Sequence, residues 1–400
     1  MACRFVDDFL LTYSRRPGAI IAAMKIASFE TEHFFAHYEF NTPYQLCNSD
    51  CESISIAELL SLAGDSLEKF GHERLIYTES QGSSELRKSI ASMHAKVNAD
   101  DVLVLGTPVE GIYLAARAVL DPGDEVIVLT PAYDALTQMF EHVAGAAQVR
   151  KWAFKPGEAS WELDLDDLRA LLTPRTKMVV VNFPHNPTGY LPSAEFLREL
   201  ASLAGEHDLY LFCDEMYFGL VHSGTQPIPS AAELTKNSIV LSGLSKTFGL
   251  PGLRCGWLIV QDEALRDNIM NWKFYTSICP PVPTEYLAIA ALKERKTLCD
   301  RNITRIEQNL ELADAFFASW PELFTWRRPM AGSTALVGYN VPSVRAVSEK
   351  LAKEEGILIQ PADMLGSDDQ HMRIGLGRDS FADVLARFED WLNRDSAGKP

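Results

Sequence analysis

Six short runs rich in valine, isoleucine and leucine punctuate the chain: "DVLVLG" (101–106), "EVIVLTP" (125–131), "KMVVVNFP" (177–184), "LYLFCDE" (209–215), "SIVLSG" (238–243) and "GWLIVQ" (256–261). They predict buried strands. Helical patterns separate most of them, among them "EGIYLAARAVL" (110–120) and "SAEFLRELASLAGEHD" (193–208), the second opening on a Ser193 cap and an acidic first turn. Alternation of strand and helix predicts an α/β layer with a mostly parallel sheet. Further on, "PPVPTEYLAIAALKE" (280–294) predicts a proline-bounded connector and a helix, and "CDRNITRIEQNLELADAFFASW" (299–320) a long helix linking two domains. The rest of the chain, with strands in "GSTALVGYN" and "HMRIGLG" and a closing helix around "DVLARFEDWLNRD", predicts a smaller α+β domain. The expected division is an N-terminal extension (1–23), a segment contributing to the small domain (24–70), a large domain (71–298) and a C-terminal small domain (299–400). Translation starting at Met24 is an expectation attached to that extension.

Composition narrows the class. A chain of 400 residues, 47% of them hydrophobic, can bury a large core. The formal net charge of −17 argues against a nucleic-acid partner, which needs a basic face. Seven scattered cysteines without a CxxC suggest neither a disulfide framework nor a metal site, and a reducing, cytoplasmic location is expected. No apolar stretch has the length of a membrane span, and Asp7 and Asp8 stand where a secretory signal would carry positive charge.

Open parallel sheets bind ligands beyond the carboxyl ends of their strands. Three of the predicted strand ends carry polar residues, in "NFPHNPTG", "DEMYFG" and "SGLSK", which brings Asn186, Asp214, Tyr217, Ser245 and Lys246 to one edge. A lysine there forms a Schiff base with an aldehyde once its amine is deprotonated. Taken alone, Lys246 also reads as a surface lysine after a strand, and "NPTG" as an ordinary turn. Asp214 is suited to pairing with a protonated ring nitrogen, and Arg254 offers a bidentate fork for a phosphate dianion. The amides opening the helix after residues 101–106 offer a second anion site.

The ordered set "NPTG", "DEMY", "SGLSKTFGLPGLR" and "MRIG" resembles the class I/II aminotransferases of fold type I, over nearly all of residues 24–395. The resemblance implies a pyridoxal 5′-phosphate enzyme acting at the α-carbon of an amino acid, with Lys246 holding the cofactor and shuttling the α-proton. It implies that Asp214 keeps the pyridine nitrogen protonated, that Tyr217 and Asn186 hold the 3′-oxygen, and that Tyr133 stacks on the ring. Arg254 and Ser245 match phosphate contacts, and Arg373 matches the arginine that pairs with the substrate α-carboxylate. Tyr77 corresponds to a tyrosine that reaches the neighbouring subunit's cofactor, implying a homodimer. Outside that resemblance, Tyr133 and Tyr77 read as core aromatics and Arg373 as a strand-edge charge.

Three departures from the family pattern stand out. The phosphate loop reads "GTPVEGIYL", where Pro108 has no N–H to donate, so Thr107 Oγ and the amides of Val109 and Glu110 are expected to take over. Gly243 stands three places before the lysine, where a hydroxyl residue is common. The segment "LCNSDCESISIAELL" (46–60) replaces a glycine-bearing loop; Ser49, Asp50 and Cys51 line the pocket, or Ser53 or Ser55 merely caps a helix. If Asp50 enters the pocket, it favours a substrate with a distal cation. Such departures leave open a cyclase or lyase of the capreomycidine synthase-like group beside amino transfer, since fold does not fix reaction. A non-catalytic sensor that kept the cofactor site is the reading from another class, and the chain has no helix-turn-helix extension to support it.

Overall fold

The computed structural model describes residues 26–397, so the expectations for the extension at residues 1–23 and a start at Met24 lie outside the described residues. Seven strands form the central sheet: β1 (Val102–Leu105), β2 (Glu125–Thr130), β3 (Val149–Ala153), β4 (Thr176–Asn182), β5 (Tyr210–Asp214), β6 (Ser238–Gly243) and β7 (Gly256–Val260). Their spatial order is β1-β7-β6-β5-β4-β2-β3. β7 runs antiparallel to both neighbours, and the other paired strands are parallel.

Alternation along the strands divides the core in two. Val102, Val104, Val179, Val181, Leu211 and Val240 belong to one buried cluster, while Leu103, Leu105, Met178, Val180, Phe212 and Ile239 belong to the other. Both faces are therefore covered, which explains why these strands read as continuous apolar runs. The helix Ala194–Glu206 opens on Ser193 as expected, the side chain accepting from the Phe196 amide.

Beyond the long helix Arg295–Ser319, a four-stranded sheet orders Phe324–Thr325, Thr334–Tyr339, His371–Gly375 and Gln360–Pro361. The helix Phe381–Ala397 contributes Phe381, Val384 and Phe388 to its core, together with Phe316 and Phe317 of the long helix. The segment before β1 divides its contacts. Tyr44–Gln45 pairs parallel with Ile357–Leu358, and Leu46 joins the C-terminal core, whereas Leu59 and Leu60 pack against the central sheet. The chain thus crosses between the two sheets at residues 46–55, beside the ends of β4, β5 and β6.

Candidate active site

The polar residues at these strand ends meet because the ends are locked together. Asn182 faces Asp214 across β4 and β5; its side-chain amide donates to the Asp214 carbonyl at 2.7 Å, while its Oδ1 accepts from the Asn186 amide at 2.7 Å. Asp214 lies buried at the end of β5 and accepts from the Met216 amide at 3.0 Å. The Thr247 hydroxyl reaches the carbonyls of Met216 and Phe218 at 3.1 and 2.9 Å, clamping the turn that holds Tyr217 against the residue after Lys246. Asn302 of the long helix donates to the Thr247 carbonyl at 2.9 Å.

A cavity of about 590 Å³ opens over this edge. Asn186, Asp214, Tyr217, Ser245, Lys246, Arg254, Arg373, Tyr133, Thr107, Val109 and Asp50 all line it. Tyr77 does not. Its ring is 86% exposed, on a segment tied to residues 273–280 by the Thr78 hydroxyl, which donates to the Pro280 carbonyl at 2.6 Å.

Lys246 Nζ donates to Ser49 Oγ at 2.7 Å. Burial lowers the Lys246 amine below the usual lysine range, opposed by Asp50 and reinforced by Arg373, which raises the fraction available as a nucleophile. Burial pushes the Asp214 carboxyl up to about 7, against the Met216 hydrogen bond and the Lys246 charge. Burial likewise raises the Tyr217 phenol, whose hydroxyl makes no hydrogen bond of ordinary geometry, with Ser49 beside it. Arg373 is 2% exposed; it donates to Asn186 Oδ1 at 3.3 Å and the Cys47 carbonyl at 3.0 Å, and its Nε is unpaired. Among the described residues no carboxylate forms an ion pair with it. A buried guanidinium without a counter-ion fits an incoming carboxylate.

At the other end of the cavity, Arg254 takes a left-handed backbone conformation (φ 49°) and donates through Nη2 to Thr107 Oγ1 at 2.7 Å. The helix Pro108–Val119 begins there with no side chain capping it. Pro108 and Gly243, which read separately as losses, pack against each other: a Cβ on Gly243 would meet the Cys255 carbonyl at 2.8 Å and Pro108 Cγ at 3.0 Å.

The loop at residues 47–51 forms another wall. It lies flat on the C-terminal sheet because Gly375 and Gly377 lack side chains, and a Cβ on either would run into the backbone of Asn48 or of Asp50. Ser49 and Asp50 line the cavity, but Cys51, expected beside them, turns away and is buried in the C-terminal core, while Ser55 caps the following helix Ile56–Leu62 in a reciprocal box with Glu58. Asp50 lines the cavity, yet its carboxylate is not open as expected, because Arg378 Nη2 donates to both oxygens at 2.9 and 2.8 Å.

Sequence reasoning missed the wall formed by the helix Glu30–Tyr38 and its flanks. Glu32, Phe35 and Glu39, spaced i, i+3 and i+7, all face the cavity. That spacing was the available signal. The Tyr133 hydroxyl donates to Glu32 Oε1 at 2.7 Å, and its ring lies 5.3 Å from that of Phe29, so the helix is pinned over the cavity by the residue expected to stack on a cofactor.

Residues 49–387 match the family described as Aminotransferase class I and II. Capreomycidine synthase of Streptomyces vinaceus is 29% identical over 365 residues, covering 90% of this chain and 92% of the relative. A PLP-dependent aminotransferase from Streptococcus suis superposes with a TM-score of 0.86 at 28% identity, covering 92% of this chain and 98% of that one. The PLP-dependent cyclase OrfR superposes with a TM-score of 0.84 at 26% identity, over 93% and 98% of the two chains. The architecture is that of fold type I enzymes, and the chain belongs to the class I and II aminotransferase family.

Proposed function

We propose that the chain is a pyridoxal 5′-phosphate enzyme that takes an α-amino acid, with amino transfer as its reaction. One observation carries this reading: a part-buried lysine amine of lowered basicity, a buried carboxylate and a buried guanidinium that has no counter-ion among the described residues share one cavity, as Lys246, Asp214 and Arg373. The donor set fits the cofactor. Asp214 would hold the ring nitrogen protonated, Tyr217 has a hydroxyl to donate, and Asn186, whose Oδ1 faces Arg373, keeps its amide nitrogen for the 3′-oxygen. Arg254, Thr107, Ser245 and the first-turn amides from Val109 onward would hold the phosphate.

When bound, the cofactor supplies an electron sink for negative charge developing at the substrate α-carbon. Arg373 orients the substrate by its carboxylate, and Lys246 takes and returns the α-proton, aided by its lowered basicity. Tyr133 and the helix over it limit access of water to that carbon.

A homodimer completes the reading. Leu75, Ile76 and Tyr77 stand exposed beside Phe274, Tyr275 and Ile278, and buried Lys273 ties the two segments through the carbonyls of Ser80 and Ile278 at 2.8 and 3.0 Å. Such an apolar patch supports a partner subunit, with Tyr77 reaching its site. No helix among the described residues is long and apolar enough to cross a membrane. A cytoplasmic location belongs to the same proposal.

Cyclisation or elimination is the second reading. It is favoured by Ser49, whose hydroxyl sits 2.7 Å from Lys246 in the loop that departs from the family pattern and offers a second proton carrier beside the amine. Borohydride reduction of the yellow holoenzyme, followed by peptide mass spectrometry, is expected to place the adduct on Lys246 and to give none in Lys246→Ala. An adduct on another lysine refutes the assignment. Mass spectrometry of products separates the reactions: amino transfer yields the 2-oxo acid of the intact substrate and an aminated acceptor, elimination a 2-oxo acid that has lost its β or γ substituent together with free ammonia, and cyclisation a product that retains the α-nitrogen.

A further inference from the structure

We propose that the cavity selects amino acids whose side chains end in an amine or guanidinium, and that Glu39, with Glu32, recognises that cation. The inference rests on the preceding reading of the cavity as an amino-acid site. Asp50, the carboxylate singled out in the sequence, is already held by Arg378 through both oxygens. Glu32 accepts from Tyr133 and from no cation that lines the cavity. Glu39 is half-buried, and among the described residues its carboxylate makes neither a hydrogen bond nor an ion pair.

Charges around Glu39 leave it short of a partner. Burial, Asp50 and Glu32 hold its carboxyl above the usual range, outweighing the pull of Arg378 and Lys246. A bound cation would relieve that crowding, and a second carboxylate would add to it.

The opposite sign is presented one helical turn away. Arg373 lies with its guanidinium carbon 5.9 Å from the centre of the Phe35 ring, buried and with Nε unpaired. Phe35 and Glu39 stand about 6 Å apart along the helix axis at 1.5 Å per residue. The cavity therefore offers a guanidinium for the α-carboxylate, an aromatic face for an aliphatic stem, and a free carboxylate beyond it. That sequence of groups matches an amino acid with a cationic tip, and it disfavours glutamate or aspartate by like-charge repulsion.

The test is titration of the holoenzyme with L-ornithine, L-arginine, L-norvaline and L-glutamate, followed by the cofactor spectrum and by calorimetry. Norvaline is ornithine without its amine, so the ratio of the two affinities isolates the cation. One of the basic ligands is expected to bind at least roughly tenfold tighter than norvaline, and glutamate weaker than norvaline. Glu39→Gln should lower the ornithine-to-norvaline ratio by about tenfold, and Glu39→Lys should move glutamate ahead of ornithine. The selection is overturned if norvaline or glutamate outranks both basic ligands, or if the two variants weaken all four ligands alike. If none of the four perturbs the spectrum of a protein that carries the Lys246 adduct, the amino-acid reading falls and this inference with it. A response to norvaline without the charge ranking removes only the selection.

Discussion

Asp214→Asn separates a residue's value to function from its effect on the fold. In the protein without cofactor, burial raises the Asp214 carboxyl to about 7, whereas an unfolded aspartate titrates near 3.9. Below about pH 4 both states hold the proton and the group has no effect on stability. Between about pH 4 and 7 the unfolded chain releases a proton that the folded chain retains, so stability falls as pH rises; above 7 the loss is complete. Three pKa units at 1.36 kcal/mol each set an upper bound of about 4 kcal/mol. Asparagine keeps the Oδ1 that accepts from the Met216 amide and carries no charge. Glu215, also raised to about 7 by burial with Asp214 as a minor contributor, gains in the same direction when its neighbour is neutral.

Cofactor-free Asp214→Asn should thus melt higher than the cofactor-free wild type at pH 8. With an unfolding entropy of roughly 0.8 kcal/mol/K for a chain of this length, the gain is at most about 5 °C. At pH 5.5 it should be about half as large in free energy. Adding pyridoxal phosphate should reverse the order, because a protonated ring nitrogen compensates the carboxylate and finds no charge on asparagine. The assay is calorimetry of both proteins, with and without cofactor, from pH 5.5 to 8.5. A variant no more stable than the wild type at pH 8, or a difference that does not change with pH, refutes the reasoning.

Arg254→Leu removes a charged fork beside the uncapped helix and should weaken cofactor binding by about ten- to a hundredfold in equilibrium dialysis; unchanged affinity would put the phosphate elsewhere. Gly243→Ala places a Cβ 2.8 Å from the Cys255 carbonyl, and should lower stability by about 1–3 kcal/mol and speed cofactor loss; an unaltered melting temperature contradicts that packing. Sedimentation of the wild type should give a dimer, and Tyr77→Ala should weaken both the dimer and cofactor retention; a wild-type monomer at micromolar concentration rules out the shared site.

What the sequence made legible follows from where each residue finds its partners. β1, β2 and β4 to β7 are covered on both faces, so their apolar character is continuous and needs no alternation to be noticed. β3 is an edge strand, "VRKWA", in which only Trp152 is fully buried, and its charged residues hid it. The direction of β7 was not readable, because strand orientation depends on the path of the connection and not on composition. Lys246, Asp214 and Asn186 were legible since each lies at or within four residues of the end of an apolar strand, and sheet topology then decides the rest.

The remaining walls of the cavity are set by contacts that span most of the chain. Asp50 looked like an open carboxylate until Arg378, 328 positions away, was seen to hold it. Glu32 and Glu39 matter because Tyr133 pins their helix, and nothing within "ETEHFFAHYEF" specifies that contact. The glycines were the clearest missed signal. Gly375 and Gly377 alternate at a strand end, which is the spacing expected where another backbone lies on one face. Gly256, opposite Gly243 in the register of β6 and β7, would place a Cβ 2.8 Å from Pro108 Cα. A proline at the helix start and glycines on the two strands beneath it are therefore one adaptation: the ring occupies the volume that two side chains gave up, and the helix N-terminus stays uncapped for an anion.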